Sequence, residues 1–455
     1  MRSIFRVLQT PLIASPHLGQ IVNGVREALN PGMSNAVLHA VDFGTSNSLL
    51  AVVRADGTSE LSELSPDSDT PSVLKSVLFF TPDDGWSFGA DAIREYSRAG
   101  AHGRLLRSVK KYLPDVGFRG TRIHRTLMGI EDLIGVFLRE MRTRANRHTG
   151  ADVRRVVLGR PARFSEDDEA EATATERLTA AARIAGYEDI ELYPEPLAAA
   201  RDFRHTLHGP ELTLVVDLGA GTSDFTVLRL RPDGYDPSDV LAIGGVSTAG
   251  DAVDGAMMRG KIAAHFGANV RYRVPLGNSL LTMPRPLVEA LCSPADAALL
   301  ERKDIVELLD RVRYGCETET DREAVERLIC VGEDRLGYAI FRAIEQTKIA
   351  LSDAGEAPFE FRYPDADVTD TVSQDELSTM SADVVQRIVG CVDDTLARAG
   401  VSSTQVERVC LTGGTAQLAA LRQELRARFG DSVVLHRTFH SVVGGLAEHA
   451  RHYTT

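Results

Sequence analysis

Two stretches of the chain share one pattern and decide the fold class. The first reads AVDFGTS at residues 40–46, and the second reads VVDLGAGTSD at residues 215–224. Each is an apolar strand that ends in an aspartate. A glycine-containing turn with hydroxyl side chains follows, and a second apolar strand then begins. Because the pattern occurs twice, it predicts a duplicated core whose two halves face each other.

Strand-like and helix-like segments alternate outward from these two stretches. Short apolar runs rich in Val and Leu predict strands, and longer runs with apolar residues on one face predict helices. The predicted strands are 36–41, 48–54, 73–80, 153–158, 211–216, 225–231 and 406–411, and the predicted helices are 89–113, 131–147, 252–267, most of 287–353, and 418–429. This alternation is typical of an α/β fold.

The composition excludes several classes of protein. Of 455 residues, 43% are hydrophobic and 25% charged, the balance of a globular protein with more than one domain. A formal net charge of -13 disfavours a nucleic-acid partner, since phosphate backbones require a cationic surface. No apolar run approaches the roughly 18 residues of a membrane span, so no membrane partner is expected. The five cysteines contain no CxxC pair, which predicts buried thiols in a reducing cytoplasm rather than disulfides or zinc.

The turns of the two stretches suit a phosphate group. Glycine at positions such as Gly44 and Gly219 lets the backbone approach an anion, and nests of backbone N–H groups hold phosphates. Asp42 and Asp217 carry charge of the same sign as phosphate, so their presence indicates a divalent cation or its water shell between them. The alternative is a pair of ordinary hairpins with Asx-type turns, which one copy of the pattern would favour and two copies disfavour.

Together with a third turn, LTGGT at residues 411–415, these segments resemble the actin-like ATPase superfamily of sugar kinases, actins and heat shock protein 70 chaperones. The first two look like its phosphate loops and the third like its adenosine loop. Finer matches resemble the nucleotide-binding domain of the heat shock protein 70 family, and the resemblance runs from about Leu38 to Ala450. These matches are TPSV at 70–73, FGADA at 88–92, SVKKYL at 108–113, RPARF at 160–164 and EPLAAA at 195–200.

The resemblance implies an actin-like ATPase fold, in which two lobes with duplicated ribonuclease-H-like cores enclose a nucleotide cleft, in four subdomains. We expect lobe I at residues 34–210, with an inserted peripheral subdomain at about 75–150. Lobe II is expected at 211–430, with an inserted, mostly helical subdomain at about 252–355. Residues 431–455 are expected to return to lobe I.

Residues 1–33 contain three arginines and one acidic residue. We expect a disordered N-terminal extension, or an over-called start with Met33 as the first residue. A transit-like peptide is the alternative.

The resemblance also implies a site for ATP or ADP with Mg²⁺. As catalytic residues, Lys110 would meet the γ-phosphate, Glu195 would position water, and Asp217 would orient the attacking water or act as base. The metal would be held by Asp42, Asp217 and Asp224, mostly through water. The nucleotide-binding positions are Gly44, Thr45, Ser46, Asn47, Gly219, Ala220, Gly221, Thr222, Glu345, Lys348, Ser352, Gly413, Gly414 and Gln417.

Plain structural roles remain open at three places. Lys110 adjoins Lys111, so a solvated helix face is the alternative to catalysis. Glu345 and Lys348 have the spacing of an i,i+3 surface ion pair. Glu195 precedes a proline, and a hinge is its alternative role.

The sequence departs from the family pattern within this site. The first loop has Asn47 where an aromatic residue is usual, the second reads GAGTSD rather than GGGTFD, and Gln417 replaces a base-stacking arginine. The segment FHSVVGG at 439–445 lacks the usual acidic residue. The methyl group of Ala220 would lie close to phosphate, and loss of the arginine removes a stacking contact worth about 1 kcal/mol. We therefore expect an altered affinity for nucleotide.

The resemblance implies a slow, Mg²⁺-dependent ATP hydrolase of the heat shock protein 70 type, which would act as a nucleotide-driven conformational switch with a chaperone-like or regulatory role. The chain ends about where the family's nucleotide-binding domain ends, and in this it resembles the short YegD-like branch without a peptide-binding domain. The expected partners are the nucleotide and a client or co-regulator protein.

Three other functions compete with this one. A nucleotide-sensing scaffold or pseudo-ATPase would bind ATP without hydrolysing it, and the departures at Ala220 and Gln417 favour it. A small-molecule kinase is disfavoured because the chain has no separate sugar-kinase signature. An actin-like filament is disfavoured because the heat-shock-type matches cover both lobes.

Overall fold

The computed structural model describes residues 36–451 except 69, 82, 84, 100–102, 124, 162, 166, 202–206, 233–236, 275–278, 294–296 and 436–440. The predicted N-terminal extension at 1–33 lies outside the described residues, as do residues 439 and 440 of the segment FHSVVGG.

The described residues form strands and helices in alternation. The strands are β1 (Ala36–Phe43), β2 (Asn47–Arg54), β3 (Ser59–Leu61), β4 (Leu74–Lys75), β5 (Val77–Phe80), β6 (Trp86–Phe88), β7 (Arg104–Arg107), β8 (Thr121–Ile123), β9 (Thr126–Met128), β10 (Arg155–Arg160), β11 (Asp189–Pro194), β12 (Glu211–Leu218), β13 (Ser223–Leu230), β14 (Val240–Val246), β15 (Arg271–Arg273), β16 (Leu280–Thr282), β17 (Glu356–Phe361), β18 (Val368–Ser373), β19 (Arg408–Thr412) and β20 (Val433–Leu435). The α-helices are α1 (Gly89–Arg98), α2 (Ile130–Thr149), α3 (Asp168–Ile184), α4 (Glu195–Arg201), α5 (Gly250–Gly260), α6 (Arg285–Leu291), α7 (Lys303–Gly315), α8 (Glu319–Glu333), α9 (Gly337–Ala350), α10 (Gln374–Met380), α11 (Ala382–Ala399), α12 (Ala419–Phe429) and α13 (Ser441–Arg451). The predicted α/β class is confirmed.

Two sheets of the same layout form the centre of the protein. The first has the order β11-β10-β1-β2-β3, with β4 also pairing with β2, and the second has the order β14-β13-β12-β19-β20. Each contains an antiparallel hairpin, β1–β2 or β12–β13. The first strand of each hairpin pairs on its other side with a parallel strand, β10 or β19. The predicted duplication is therefore present in the topology.

Helices α4 and α13 lie between the two sheets and join them. Val443 and Leu446 of α13 share one apolar cluster with Ala198 of α4 and with Val215 of the second sheet. The two helices approach closely, because a Cβ atom on Gly445 would lie 1.8 Å from the carbonyl oxygen of Ala198. This tight contact packs the two helices directly against each other in the layer between the sheets.

Two groups of peripheral elements extend from this centre. After β4 the chain forms the sheet β6-β5-β7, helix α1 and the hairpin β8–β9, and it then returns as α2. After α5 it forms the hairpin β15–β16, helices α6 to α9 and the hairpin β17–β18. The two groups meet where Tyr338 of α9 contacts the apolar cluster of Val77, Phe79, Ala92 and Ile93.

One predicted helix, residues 89–113, is wrong over its second half. Helix α1 ends at Arg98, and the chain continues as strand β7, which pairs with β5. Gly103 lies between them with φ +113, and a Cβ atom there would lie 2.4 Å from the carbonyl oxygen of Phe80. A helix cannot pass through this conformation, and the turn redirects residues 104–112 toward the centre of the protein.

All five cysteines are free thiols, and four are buried. The predicted burial of the thiols is confirmed for four of the five. Within the residues that the structure describes, we find no α-helix with the length and hydropathy needed to span a membrane.

Candidate functional site

A cleft of about 2240 Å³ opens at the strand ends of the two sheets. Every predicted site residue contributes to its walls. These residues are Asp42, Gly44, Thr45, Ser46, Asn47, Lys110, Glu195, Asp217, Gly219, Ala220, Gly221, Thr222, Asp224, Glu345, Lys348, Ser352, Gly413, Gly414 and Gln417. The fold thus brings together positions that are spread over most of the chain.

The first loop, residues 44–47, is the tight turn between β1 and β2. A Cβ atom on Gly44 would lie 2.2 Å from the carbonyl oxygen of Asn47, so the turn admits no side chain at that position. Ser76 holds the loop from outside: its hydroxyl donates to the carbonyl oxygen of Gly44 at 2.7 Å, and its backbone N–H donates to that of Ser46 at 2.8 Å. Sequence reasoning missed Ser76, because its contact with the loop is tertiary.

The second loop, residues 219–222, faces the first. Its turn is closed by the backbone N–H of Gly219, which donates to the carbonyl oxygen of Thr222 at 3.0 Å. A Cβ atom on Gly221 would lie 3.4 Å from the Cγ2 atom of Thr45, so the two loops are in near contact. Backbone amides and hydroxyl groups from both sheets therefore converge on one space, which suits a polyphosphate.

The third turn packs against the strand that leads into the second loop. Gly413 has φ +85, and a Cβ atom there would lie 2.2 Å from the carbonyl oxygen of Leu218. The Thr415 hydroxyl then donates to the carbonyl oxygen of Gly219 at 2.7 Å. Glycine is required at position 413 by both the backbone conformation and the close approach.

A cluster of carboxylates surrounds one buried lysine at the base of the cleft. Lys110 and Glu195 are only 9% and 8% exposed, and the Lys110 Nζ atom donates to Glu195 Oε1 at 2.7 Å. Asp217 lies directly opposite Asp224 in the β12–β13 pairing, and both line the cleft. Asp42 is the next-to-last residue of β1 on the facing sheet. Lys110 is therefore not on a solvated helix face, whereas its neighbour Lys111 is exposed.

The local backbone positions Lys110. The chain passes through Ser108 with φ +52, a left-handed conformation that residues other than glycine seldom adopt. A short 3₁₀ turn, Val109–Tyr112, follows and buries Val109 and Lys110. Strained backbone of this kind is common where a side chain must be held in one direction.

The carboxylates of this cluster have raised pKa values. Burial raises the pKa of Asp42 to about 7, and the neighbouring Glu195 carboxylate adds to the rise. Burial and Glu195 also raise the pKa of Asp224 to about 7. Burial raises the pKa of Asp217 well above its ordinary value, and the other three carboxylates contribute. Burial alone would lower the pKa of Lys110, but the charge and hydrogen bond of Glu195 raise it overall. The cluster thus has more negative charge than its one lysine balances.

The cleft wall formed by α9 is held by ion pairs. Lys348 Nζ lies 2.7 Å from Asp254 Oδ1 and donates to the carbonyl oxygen of Gly250 at 3.3 Å. Glu345 lies 3.9 Å from Lys75, a residue of the opposite wall. Lys348 and Glu345 therefore pair with other side chains, and the alternative of a simple ion pair between them is wrong.

Asp254, the buried partner of the cleft residue Lys348, was missed by sequence reasoning. Burial raises its pKa to about 6, against the opposing effect of Lys348. Two aspartates, Asp251 and Asp254, stand three residues apart at the start of α5, and this spacing on one helix face was the available signal.

Among the described residues, no group of three or more His, Cys, Asp or Glu side chains is arranged to hold a metal ion directly. Water-mediated contacts, as predicted for Asp42, Asp217 and Asp224, remain a prediction.

The duplicated sheets, the central cleft and the paired strand-end loops define the class: a two-lobed protein with the actin-like ATPase fold. Within that class, the chain belongs to the Hsp70 protein family, whose sequence profile matches residues 118–269 and 326–438, more than half of the chain. This confirms the predicted family and fold.

Curated relatives agree with this assignment. The chain is 27% identical over 425 residues to a chaperone protein HscA homolog from Burkholderia lata, which covers 88% of this chain and 56% of the relative. It is 24% identical over 422 residues to a chaperone protein DnaK from Thermus thermophilus, which covers 88% of this chain and 57% of that protein. The chain therefore spans little more than half the length of these relatives.

Proposed function

We propose that this chain binds ATP and hydrolyses it slowly in a Mg²⁺-dependent reaction, and that the nucleotide state switches the angle between its two lobes. The observation that carries the proposal is the convergence of both strand-end loops, the Gly413 turn and the Lys110–Glu195 pair on one cleft. The chaperone names of the relatives support a role toward client or co-regulator proteins.

Each wall of the cleft has a part in the proposed reaction. The loop amides and the hydroxyls of Thr45, Ser46 and Thr222 would hold the phosphates. Glu345 and Lys348 of α9, with Ser352 just after the helix, would contact the nucleoside. Lys110 would offset charge that develops on the γ-phosphate. Phosphoryl transfer to water needs mainly positioning and charge stabilisation, and a buried lysine with defined hydrogen bonds supplies both.

Asp217 is the residue that would orient the attacking water or accept its proton. Its pKa is raised by burial and by its carboxylate neighbours, so it is a stronger base than an exposed aspartate. Glu195 would position the same water while it remains paired with Lys110. Because Lys110 and Glu195 are paired, the proposed phosphate contact would lie beside the proposed water contact.

The charge balance of the cluster fits a divalent cation. Four carboxylates face one lysine. Burial raises the pKa values of Asp42 and Asp224, because the protein alone does not compensate the negative charge of their ionised forms. Asp42, Asp217 and Asp224 would hold Mg²⁺, mostly through its water ligands. When bound, the ion would neutralise phosphate charge.

The experiment is single-turnover hydrolysis of ATP with Mg²⁺, run beside ATP and ADP binding on the same preparation. We expect tight binding and slow turnover, and we expect Asp217→Asn to reduce turnover at least a hundredfold while binding persists. Unchanged turnover in this variant would remove Asp217 from the mechanism.

A second candidate is a nucleotide-sensing scaffold that does not hydrolyse ATP. Ala220 in the second loop and Gln417 at the third turn favour it, because both line the cleft where the family has glycine and arginine. Tight binding without turnover in the same experiment would select this function.

A further inference from the structure

The hairpin β8–β9 concentrates positive charge on an otherwise acidic protein. Residues 116–128, which form the hairpin and the loop before it, contain three arginines and no acidic residue, although the whole chain has a formal net charge of -13. Arg119, Arg122 and Arg125 of this segment are exposed. None of the three has a hydrogen bond or ion pair to the part of the chain that the structure describes.

Some exposed arginines elsewhere on the protein have a carboxylate partner within the chain. Arg154 donates to Asp152 at 3.1 Å, and Arg273 donates to Glu317 at 2.6 Å. An arginine that already pairs with a carboxylate of its own chain gains little binding free energy from an external anion. The β8–β9 hairpin and the loop before it together leave three guanidinium groups available to an external anion, each with several donors in a planar fork.

Apolar side chains accompany these arginines. Leu127 is 60% exposed and lies directly opposite Arg122 in the hairpin register, so the two share the outer face. Val116, in the loop before the hairpin, is 56% exposed. Ile123 points the other way and is buried in the core beneath. The outer face thus offers both charge and apolar surface.

The surface is held in a fixed shape. Arg177 of α3 donates to the carbonyl oxygens of Leu113, Asp115 and Phe118 at 2.9, 2.8 and 3.1 Å, which pins the loop that leads into the hairpin. Gly120 has φ +121, and a Cβ atom there would lie 2.6 Å from the carbonyl oxygen of Met128. A preorganised surface loses little conformational entropy when a partner binds.

We propose that the outer face of β8–β9 is a docking surface for an acidic segment of a partner protein. Carboxylates of the segment pair with Arg119, Arg122 and Arg125, and an apolar side chain between them packs on Leu127 and Val116. Charge complementarity favours a short segment over a nucleic acid or a membrane. A short segment meets only the hairpin, whereas an extended polyanion would also face the remaining surface of a protein with net charge -13.

Peptide selection tests this surface. A random twelve-residue library displayed on phage is selected on the full chain and counter-selected on the R122E/R125E variant. We expect the enriched peptides to carry carboxylates on both sides of an apolar residue. The best peptide, labelled with fluorescein, is expected to bind the parent chain at least tenfold more tightly than R122E/R125E, and its affinity should fall as salt is raised.

The matched control is R285E/K303E, which makes the same change in net charge at two exposed residues of α6 and α7. We expect this control to retain the parent affinity, and Leu127→Ser to weaken binding several-fold. Equal losses of peptide affinity in the control and in R122E/R125E would overturn the proposal. So would enriched peptides that lack carboxylates. Tighter hairpin-dependent binding of a single-stranded oligonucleotide or of anionic lipid vesicles would also overturn it, because the partner would then be another polyanion.

Discussion

Replacing Lys110 by methionine should destabilise the protein strongly, because it leaves the Glu195 carboxylate buried without a partner. The Lys110–Glu195 pair is 2.7 Å long, and both side chains are about one-tenth exposed. Removing one partner of a buried ion pair costs about 3–5 kcal/mol in free energy of unfolding. The same change at the exposed neighbour Lys111 is the control, and it should cost under about 0.5 kcal/mol.

The size of this loss should depend on pH. A carboxylate left alone in a buried site can escape by taking up a proton. For a carboxyl group of ordinary pKa, about 4.3, protonation costs about 5 kcal/mol at pH 8 and about 2 kcal/mol at pH 6. This protonation cost is an upper limit on the free energy of unfolding that the variant loses at each pH. Removal of Lys110 also removes the charge that holds down the pKa values of Asp42 and Asp224. A raised pKa in the folded state costs stability as pH rises through it, so both effects act in the same direction.

Urea unfolding followed by circular dichroism at pH 6 and pH 8 measures this. We expect Lys110→Met to lose about 3–5 kcal/mol at pH 8 and about 2 kcal/mol at pH 6, and the double variant K110M/E195Q to lie within about 1–2 kcal/mol of the parent at both pH values. A loss below about 1 kcal/mol at pH 8, or an equal loss at both pH values, would refute the buried-pair reasoning.

Three further substitutions test the loops of the cleft. Ala220→Gly should tighten ATP binding about threefold to tenfold, because it removes a methyl group beside the proposed phosphates. Isothermal titration calorimetry measures the Kd for ATP, and an unchanged Kd would contradict the reasoning. Gln417→Arg should tighten binding about fivefold by restoring a planar cation next to the base, and equal affinity for ATP before and after the change would argue against that contact. Gly413→Ala should cost more than about 2 kcal/mol of unfolding free energy, because its Cβ atom would meet the carbonyl oxygen of Leu218. The control is Gly400→Ala, at a glycine with a similar positive φ and no atom near its Cβ position. It should cost only about 1 kcal/mol of unfolding free energy, and an equal loss in the two variants would mean that the close approach at Gly413 is unimportant.

The loops of the site could be predicted from the sequence because their signal is local. An aspartate at a strand end, a glycine turn and a hydroxyl lie within a few residues of one another, and the second copy made chance agreement improbable. The α/β class followed from the same local periodicity. Resemblance to a family added the positions that periodicity does not reach, including Lys110 and Glu195.

Contacts between distant residues could not be predicted in this way. Lys110 and Glu195 are 85 positions apart, and nothing in the spacing of either predicts their ion pair. Ser76 and Asp254 act on the cleft only through the tertiary fold. The helix predicted at 89–113 was wrong over its second half because Gly103, with φ +113, is followed by strand β7. The boundaries of the two lobes and the roles of the site residues stay predictions.

The position of α13 has a consequence for how the protein is made. Its residues Val443 and Leu446 complete the apolar layer over β1 and β2, yet about 400 residues separate it from those strands. At translation rates of about 5–20 residues per second, the first sheet waits about 20–80 seconds for the helix that closes it. During that interval one face of the nascent sheet stays open to water and to neighbouring chains. A member of a chaperone family thus has, in its own biosynthesis, a long window in which a chaperone would be of use.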